Sequence, residues 1–98
     1  SIPEASARKM VIAELERLTC PGGLVHVAEF LKTEGRSYSR SGTFHSSIGV
    51  EMKHFDQDEL LQELDVFETL HTREIETTSI TGRSERALHY FGRKRALA

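Results

Sequence analysis

The sequence predicts a single α+β domain, in which three to four helices are followed by a C-terminal β-hairpin. The length of 98 residues is typical of one hydrophobic core. Up to about residue 70, apolar side chains recur at helical spacing and are interrupted by glycine and proline. After His71 the composition becomes rich in threonine and isoleucine, and Gly82-Arg83 separates two β-prone runs.

Composition and charge exclude some classes of protein without indicating a function. The 38% hydrophobic and 29% charged residues are ordinary for a globular domain. Thirteen basic and fifteen acidic side chains leave a formal net charge of −2, so the total charge indicates no partner. We expect no transmembrane segment and no signal peptide, because no apolar run approaches the ~20 residues of a membrane span. The single cysteine, Cys20, predicts no disulfide bond and a cytoplasmic location.

The N-terminal third of the chain predicts two amphipathic helices. Apolar residues recur at helical spacing from Pro3 to Leu18, and the Pro21-Gly22-Gly23 run then ends that helix. A second, shorter helix is predicted from Leu24, Val27, Ala28 and Leu31, and Gly35 is its expected stop.

Residues 42–55 fit two patterns. Phe44, Ile48, Met52 and Phe55 form a helical stripe, whereas Phe44, Ile48, Val50 and Met52 share the parity of a strand. Helix is favoured here because no turn signal follows Gly42 for a long stretch, but the strand remains the open alternative.

The C-terminal half predicts a helix and then a hairpin. Asp56 is the expected N-cap of the helix, with Glu59 in the reciprocal capping position, and the helix extends through Asp56–Leu70. Thr72–Phe91 is the predicted hairpin, with its turn at Gly82-Arg83. The predicted domain covers residues 1–92, and residues 93–98 are a basic tail.

This order of elements resembles the winged helix-turn-helix domain of DNA-binding regulators. The resemblance depends on Leu24–Glu34 as the first helix of the motif, Tyr38–Phe55 as the recognition helix and Thr72–Phe91 as the wing. The acidic helix between recognition helix and wing departs from the pattern of many members. The resemblance implies sequence-specific binding of duplex DNA by a small transcriptional or replication regulator that is not an enzyme. A homodimer is expected, because a module of this size reads few base pairs.

Local charge supports a DNA-binding face. Two basic segments, at residues 32–53 and 83–95, flank a helix that is acidic, and phosphate binding needs only a local basic face. Hydroxyl groups beside arginines suit phosphate oxygens. The predicted backbone contacts are Arg36, Tyr38, Arg40, Arg83 and Arg86, and the predicted base contacts are Thr43, His45, Ser46 and Ser47.

Other chemistry receives weaker support. The acidic helix favours, as the alternative function, a protein-interaction module such as a regulatory subunit or an enzyme inhibitor. Glu51 and Lys53 resemble half of a Mg²⁺-dependent nuclease motif, for which Glu29 or Glu34 would supply the second carboxylate. The five histidines lack the spacing of zinc ligands and are interpreted as surface or boundary residues, so neither a metal nor a cofactor is predicted.

Overall fold

A computed structural model describes residues 1–80 and 82–96, which form two helices and five strands. In chain order these are α1 (Ala5–Leu18), β1 (Leu24–Phe30), β2 (Thr43–His45), β3 (Glu51–Lys53), α2 (Gln57–Glu63), β4 (Phe67–Thr78) and β5 (Ser84–Lys94). Neither helix in the described part of the chain has the length and apolar character that a membrane span requires.

A three-stranded antiparallel sheet organises the fold, with the strand order β1-β5-β4. The last strand in the sequence is therefore the central one. Its residue Leu88 lies between Glu29 of β1 and Glu74 of β4. The short strands β2 and β3 form a separate two-stranded antiparallel hairpin. Because β1 pairs only with a strand some 60 positions later, its conformation depends on a long-range contact.

The hydrophobic core lies against one face of this sheet. Tyr90 and Leu88 of β5 are 0% and 1% exposed, and Leu60 of α2 and Leu64 at its C-cap pack into the same cluster. The other buried members are Val25, Leu31, Phe55 and Phe67. Ile12 and Leu15 bring α1 onto the cluster, so one core joins both helices to the sheet.

Arg8 fixes the relative position of the two helices. Its Nε and Nη2 donate to the Glu63 carboxylate at 3.0 and 2.8 Å, and its Nη1 donates to the carbonyl oxygens of Ile2 and Pro3. The guanidinium also lies 5.4 Å from the ring centroid of Phe55. A bidentate pair of this kind sets orientation as well as distance.

The predicted helix over Leu24–Glu34 is wrong, because residues 24–30 form β1. Val27 and Leu31 fit a helical stripe, but Val25, Val27 and Leu31 also share strand parity. Val25 and Leu31 are buried and Val27 is half-buried. The valines favour an extended backbone, and pairing with β5 decides the outcome.

The predicted recognition helix over Tyr38–Phe55 is also wrong. Residues 43–45 and 51–53 are the paired strands β2 and β3, which agrees with the strand alternative for this segment. Gly49, at φ 82°, lies in the turn between them. An α+β class with three to four helices before a hairpin is therefore not the observed architecture, which has two helices and is mostly sheet.

The predicted acidic helix begins where expected but is shorter. A capping box joins Asp56 and Glu59, which confirms that part of the prediction. The helix ends at Glu63, and Phe67 already begins β4. The segment assigned to the C-terminal end of the helix is thus extended, because Phe67 and its successors pair with β5.

The segment interpreted as a wing is part of the main sheet. β4 and β5 pair along their whole length, from Phe67↔Lys94 to Thr78↔Ser84, with an irregularity at Thr69/His71. The Ser79 carbonyl accepts from the Gly82 amide at 2.9 Å in the connecting turn. Of the predicted tail, residues 93–94 belong to β5, and residues 97–98 lie outside the described part.

Replacing Gly92 with alanine is expected to destabilise the protein, because the Tyr90 ring covers this glycine in the central strand. A Cβ at Gly92 would lie 2.6 Å from Tyr90 Cε1 and 2.8 Å from its hydroxyl oxygen. Overpacking of this kind costs about 1–3 kcal/mol in the free energy of unfolding, measurable by urea denaturation. The double variant Tyr90→Leu/Gly92→Ala should lose less than the sum of the single losses. Additive losses would contradict the packing explanation.

Candidate functional site

A surface cleft lies between the β2–β3 hairpin and the turn that joins β4 to β5. We call it the hairpin cleft. It has a polar part of about 560 Å³ and an adjoining apolar part of about 590 Å³. Both parts share Arg36, Phe44, Ser46, Ser47 and Arg83. The polar part adds Gly35, Ser37, Ser39, Thr43 and His45, whereas the apolar part adds Phe30, Ile48, Val50, Met52, Ser79, Ile80, His54 and Glu85. Each part has the size of a small-molecule site.

Two tight turns shape the wall of the cleft. The Ser46 amide donates to the Val50 carbonyl at 2.8 Å and closes the hairpin turn. Gly42, at φ 81°, makes the turn before β2, and a Cβ there would lie 2.8 Å from the His54 carbonyl oxygen. Only glycine combines this backbone conformation with so close an approach.

Lys53 anchors the hairpin to α2. Its side chain is 1% exposed, and the ammonium group donates to Glu59 Oε2 at 2.7 Å and to the Ser41 carbonyl. Glu59 Oε1 accepts from the Asp56 amide at 3.4 Å, so the same carboxylate serves the helix cap. The Lys53 ammonium also lies 4.9 Å from the Phe55 ring centroid. The Lys53 ammonium, which holds the cleft wall in place, is therefore already paired within the fold.

A buried ion pair forms part of the cleft floor. Arg36 Nη2 donates to Glu85 Oε1 at 2.6 Å, with side-chain exposures of 15% and 6%. The Arg36 guanidinium stacks 4.3 Å from the Phe44 ring centroid. Within the described residues, Arg36 Nε and Glu85 Oε2 are buried without a hydrogen-bond partner. The pair neutralises its own charge and holds the segment before β2 on the central strand β5.

His54 is the buried histidine of the cleft. The Tyr38 hydroxyl lies 2.9 Å from His54 Nδ1, and the Thr33 amide donates to that hydroxyl at 3.0 Å. Phe44 packs edge-on against the imidazole at 4.6 Å between ring centroids. Burial, and next the positive charge of Arg36, lower the pKa of His54 to about 4. The ring is therefore neutral at pH 7.

The hydrogen bonds of Tyr38 assign the proton on this ring. Thr33 Oγ1, at 3.4 Å, is a poorer acceptor for the Tyr38 hydroxyl than His54 Nδ1. We therefore infer that Tyr38 donates to Nδ1, which leaves the proton on Nε2. His54 is then a hydrogen-bond donor toward a ligand in the cleft.

Six of the nine predicted site residues converge on the polar part of the cleft. These are Arg36, Thr43, His45, Ser46, Ser47 and Arg83. Tyr38 lies behind them as the partner of His54. The structure does not bring in Arg40, or Arg86, whose guanidinium pairs with Glu74 and donates to the Lys32 carbonyl. The predicted site residues therefore lie together, but on a β-hairpin and two turns instead of on a recognition helix.

Sequence reasoning missed the apolar part of the cleft. Met52 and Phe44 were recognised only as members of a periodic stripe, and His54 was interpreted as a surface or boundary histidine. A buried histidine next to a hydroxyl and a paired glutamate depends on contacts between residues 16 to 49 positions apart, which no local pattern reveals.

The nuclease hypothesis does not fit this geometry. Lys53 is buried against Glu59, whereas the exposed Glu51 faces His45 with 4.0 Å between Oε2 and Nε2. In the described part of the chain, no three His, Cys, Asp or Glu side chains are grouped so as to hold a metal ion. The carboxylate cluster that Mg²⁺ would need is thus missing from residues 1–80 and 82–96.

Comparison with known proteins gives one line of evidence, which is structural. No family model matches the chain, and the search of curated proteins found no match. Among solved structures, the chain is similar to a SAM-dependent methyltransferase from Methanosarcina mazei, with a TM-score of 0.84 and 20% sequence identity. The likeness covers 99% of this chain but only 55% of that chain, so the present chain spans about half of the enzyme's length. At this identity the likeness shows a shared fold.

The shared fold contradicts the functional predictions that were drawn from the winged-helix resemblance. The recognition as a winged helix is wrong, and so are the predictions of duplex DNA as partner and of a regulatory role. The homodimer stays a prediction, since no comparison tests it. The alternative of a protein-interaction module gains no support. The prediction that the chain is not an enzyme is contradicted as well, because the fold belongs to part of an enzyme. No comparison tests the individual DNA contacts. The helix on which the base contacts were predicted is not present.

Acidification is expected to destabilise the protein through His54. Its folded-state pKa of about 4 lies below the ordinary 6.5, so between these values the unfolded state binds the extra proton. Stability is therefore present above pH 6.5 and is lost as the pH falls toward 4. We expect a loss of about 2 kcal/mol from this group after allowance for solvent screening.

Urea denaturation between pH 4 and 7.5 measures this effect. The His54→Gln variant keeps a hydrogen-bond acceptor for Tyr38 but does not titrate, so its stability should fall less steeply over this range. A His45→Gln variant is the matched control, since His45 is exposed on the hairpin, and its slope should equal that of the parent. Equal slopes in all three proteins would refute the assignment to His54.

Proposed function

We propose that this chain is a methyltransferase-like domain whose hairpin cleft holds the methyl acceptor. The observation that carries the proposal is the structural likeness to a SAM-dependent methyltransferase over 99% of this chain. A shared fold does not by itself specify chemistry, so the argument also needs a site. The hairpin cleft supplies one, since it combines an apolar wall with converging polar groups.

The described residues do not fit SAM itself. SAM carries a sulfonium cation, and Arg83 presents a positive charge to any occupant of the cleft. Glu85, which would suit ribose hydroxyls or a cation, is already paired with Arg36 at 2.6 Å. The main sheet is antiparallel throughout, so it lacks the crevice that parallel strands form at their carboxyl ends. We therefore assign to the cleft an acceptor and not the methyl donor.

The methyl donor would then bind outside the hairpin cleft. The similar enzyme is nearly twice as long as the part that this chain matches, which leaves a large share of its fold for that role. In this arrangement His54 and the hydroxyl-bearing hairpin orient the acceptor, and the apolar side chains exclude water from it.

Two predictions about organisation remain proposals. The first is that residues 1–92 form one domain followed by a basic tail, although Arg93 and Lys94 extend β5. The second is a cytoplasmic location, which agrees with Cys20 as an exposed cysteine without a second cysteine in the chain.

Equilibrium dialysis with radiolabelled SAM tests the assignment of the cleft. We expect no retention of SAM by this chain, because the cleft repels a sulfonium cation. The Met52→Trp variant fills the apolar part, and Met10→Trp on the exposed face of α1 is its matched control. SAM binding that Met52→Trp abolishes and Met10→Trp preserves would show that the cleft holds the donor, which would overturn the assignment.

Methyl transfer itself is tested in a chimera. This chain replaces the matching segment of the Methanosarcina mazei enzyme, and label from SAM is followed into a mixture of small-molecule acceptors. Transfer is expected in the chimera and in its Met10→Trp variant, and should be lost in Met52→Trp. If the chimera binds SAM but labels no acceptor beyond the buffer control, the proposed function fails.

A further inference from the structure

We propose that the hairpin cleft selects an anionic acceptor, a small molecule that joins a carboxylate or phosphate group to an apolar body the size of one or two rings. This inference rests on the proposed function, since it names the class of molecule that the cleft would hold. It follows from the donors, the charge and the apolar surface of the cleft, which are independent observations.

The polar groups that remain available in the cleft are mainly donors. Arg83 is exposed at the junction of the two parts, and its guanidinium donates to the Gly35 carbonyl at the long distance of 3.4 Å. The Thr43 hydroxyl is already hydrogen-bonded to that of Ser39 at 2.6 Å. The Ser46 hydroxyl accepts from the Val50 amide but keeps its own proton to donate, and with Ser47 it lines the polar part. Together with His54 Nε2–H, these groups match the several lone pairs of a carboxylate or phosphate.

Charge counting gives the sign of the ligand. Among the residues that line the cleft, Glu85 is the carboxylate and Arg36 and Arg83 are the permanent cations. Arg36 and Glu85 neutralise each other as a buried pair. Arg83 then leaves one uncompensated positive charge, and a single negative charge on the ligand balances it. An arginine pairs with an oxyanion through two parallel hydrogen bonds, which adds orientation.

The apolar part fixes the other end of the ligand. Ile48, Val50 and Ile80 are 84%, 52% and 106% exposed, although they line one cavity together with Phe44 and Met52. Large aliphatic side chains grouped at one cavity mark a binding surface. A cavity of about 590 Å³ holds one or two aromatic rings and leaves the charged group beside Arg83.

The two methionines of the chain provide a direct readout. Met52 lines the apolar part, whereas Met10 is 71% exposed on α1 and does not line the cleft. In protein with ¹³C-labelled methionine methyl groups, the Met52 signal reports binding and the Met10 signal is the internal control. The probes are 1-naphthylacetate, 1-naphthyl phosphate and the neutral 1-naphthylacetamide.

We expect both anions to shift the Met52 signal saturably while Met10 stays fixed, and the tighter anion distinguishes a carboxylate from a phosphate ligand. The neutral amide should bind at least about tenfold more weakly, since hydrogen bonds to charged groups exceed neutral ones by about that factor. Arg83→Gln should lower the affinity for the anions about tenfold and leave that for the amide unchanged. Arg73→Gln, with the same charge change at an exposed site on β4 outside the cleft, should alter neither.

Two outcomes would overturn the inference. An amide that binds as tightly as the acids, or an Arg83→Gln variant with unaltered affinity for them, would show that the cleft does not select charge. No Met52 shift with any probe at millimolar concentration would show that the cleft takes no such molecule. Neither outcome decides the proposed function, because the chimera measures transfer to acceptors of every class.

Discussion

The buried ammonium group of Lys53 is the contact on which the geometry of the cleft depends. It joins the turn at Ser41, the strand β3 and the first turn of α2, because its donors reach the Ser41 carbonyl and the Glu59 carboxylate. The hairpin has only three paired residues in each strand, so its own ladder stabilises it little. Removing the Glu59 carboxylate would leave the Lys53 ammonium buried without its counter-charge, which typically costs about 3–5 kcal/mol. The cleft wall is therefore held by the buried charge of Lys53, which is not accessible to a ligand.

Similar ion pairs occur at the other junctions of the fold. Arg8 and Glu63 join α1 to α2, and Arg36 and Glu85 join the segment before β2 to the central strand. Each pair links elements that are far apart in sequence, by 55 and 49 positions. Buried charges are costly when their partner is misplaced, so such pairs penalise alternative packings more than they stabilise the native one. The apolar core supplies the driving force, and the pairs fix the orientation of its parts.

What the sequence predicted correctly depends on local interactions. The helix that ends at Leu18 and the capping box at Asp56 and Glu59 are both determined within a few residues. The strand β1 was misassigned because Val27 and Leu31 satisfy both periodicities, and only pairing with β5 decides between them. The hairpin at residues 43–53 fitted both patterns for the same reason. Six predicted site residues do meet in the cleft, since most of them are close in sequence, but their partners His54 and Glu85 are brought in by the tertiary fold.

The likeness to an enzyme extends to the backbone and much less to the side chains. At 20% identity, the backbone is shared with the methyltransferase, while four of every five aligned side chains differ. Binding selectivity depends on those side chains. In this chain the stabilising charges at Lys53 and Arg8 are sequestered beneath the surface, whereas Arg83 stands exposed at the mouth of the cleft. Because Arg83 forms no ion pair with another described residue, its charge is available to a ligand. The selectivity of the cleft therefore depends on the side chains of the β4–β5 turn, which carries Arg83, and on those of the β2–β3 hairpin that faces it.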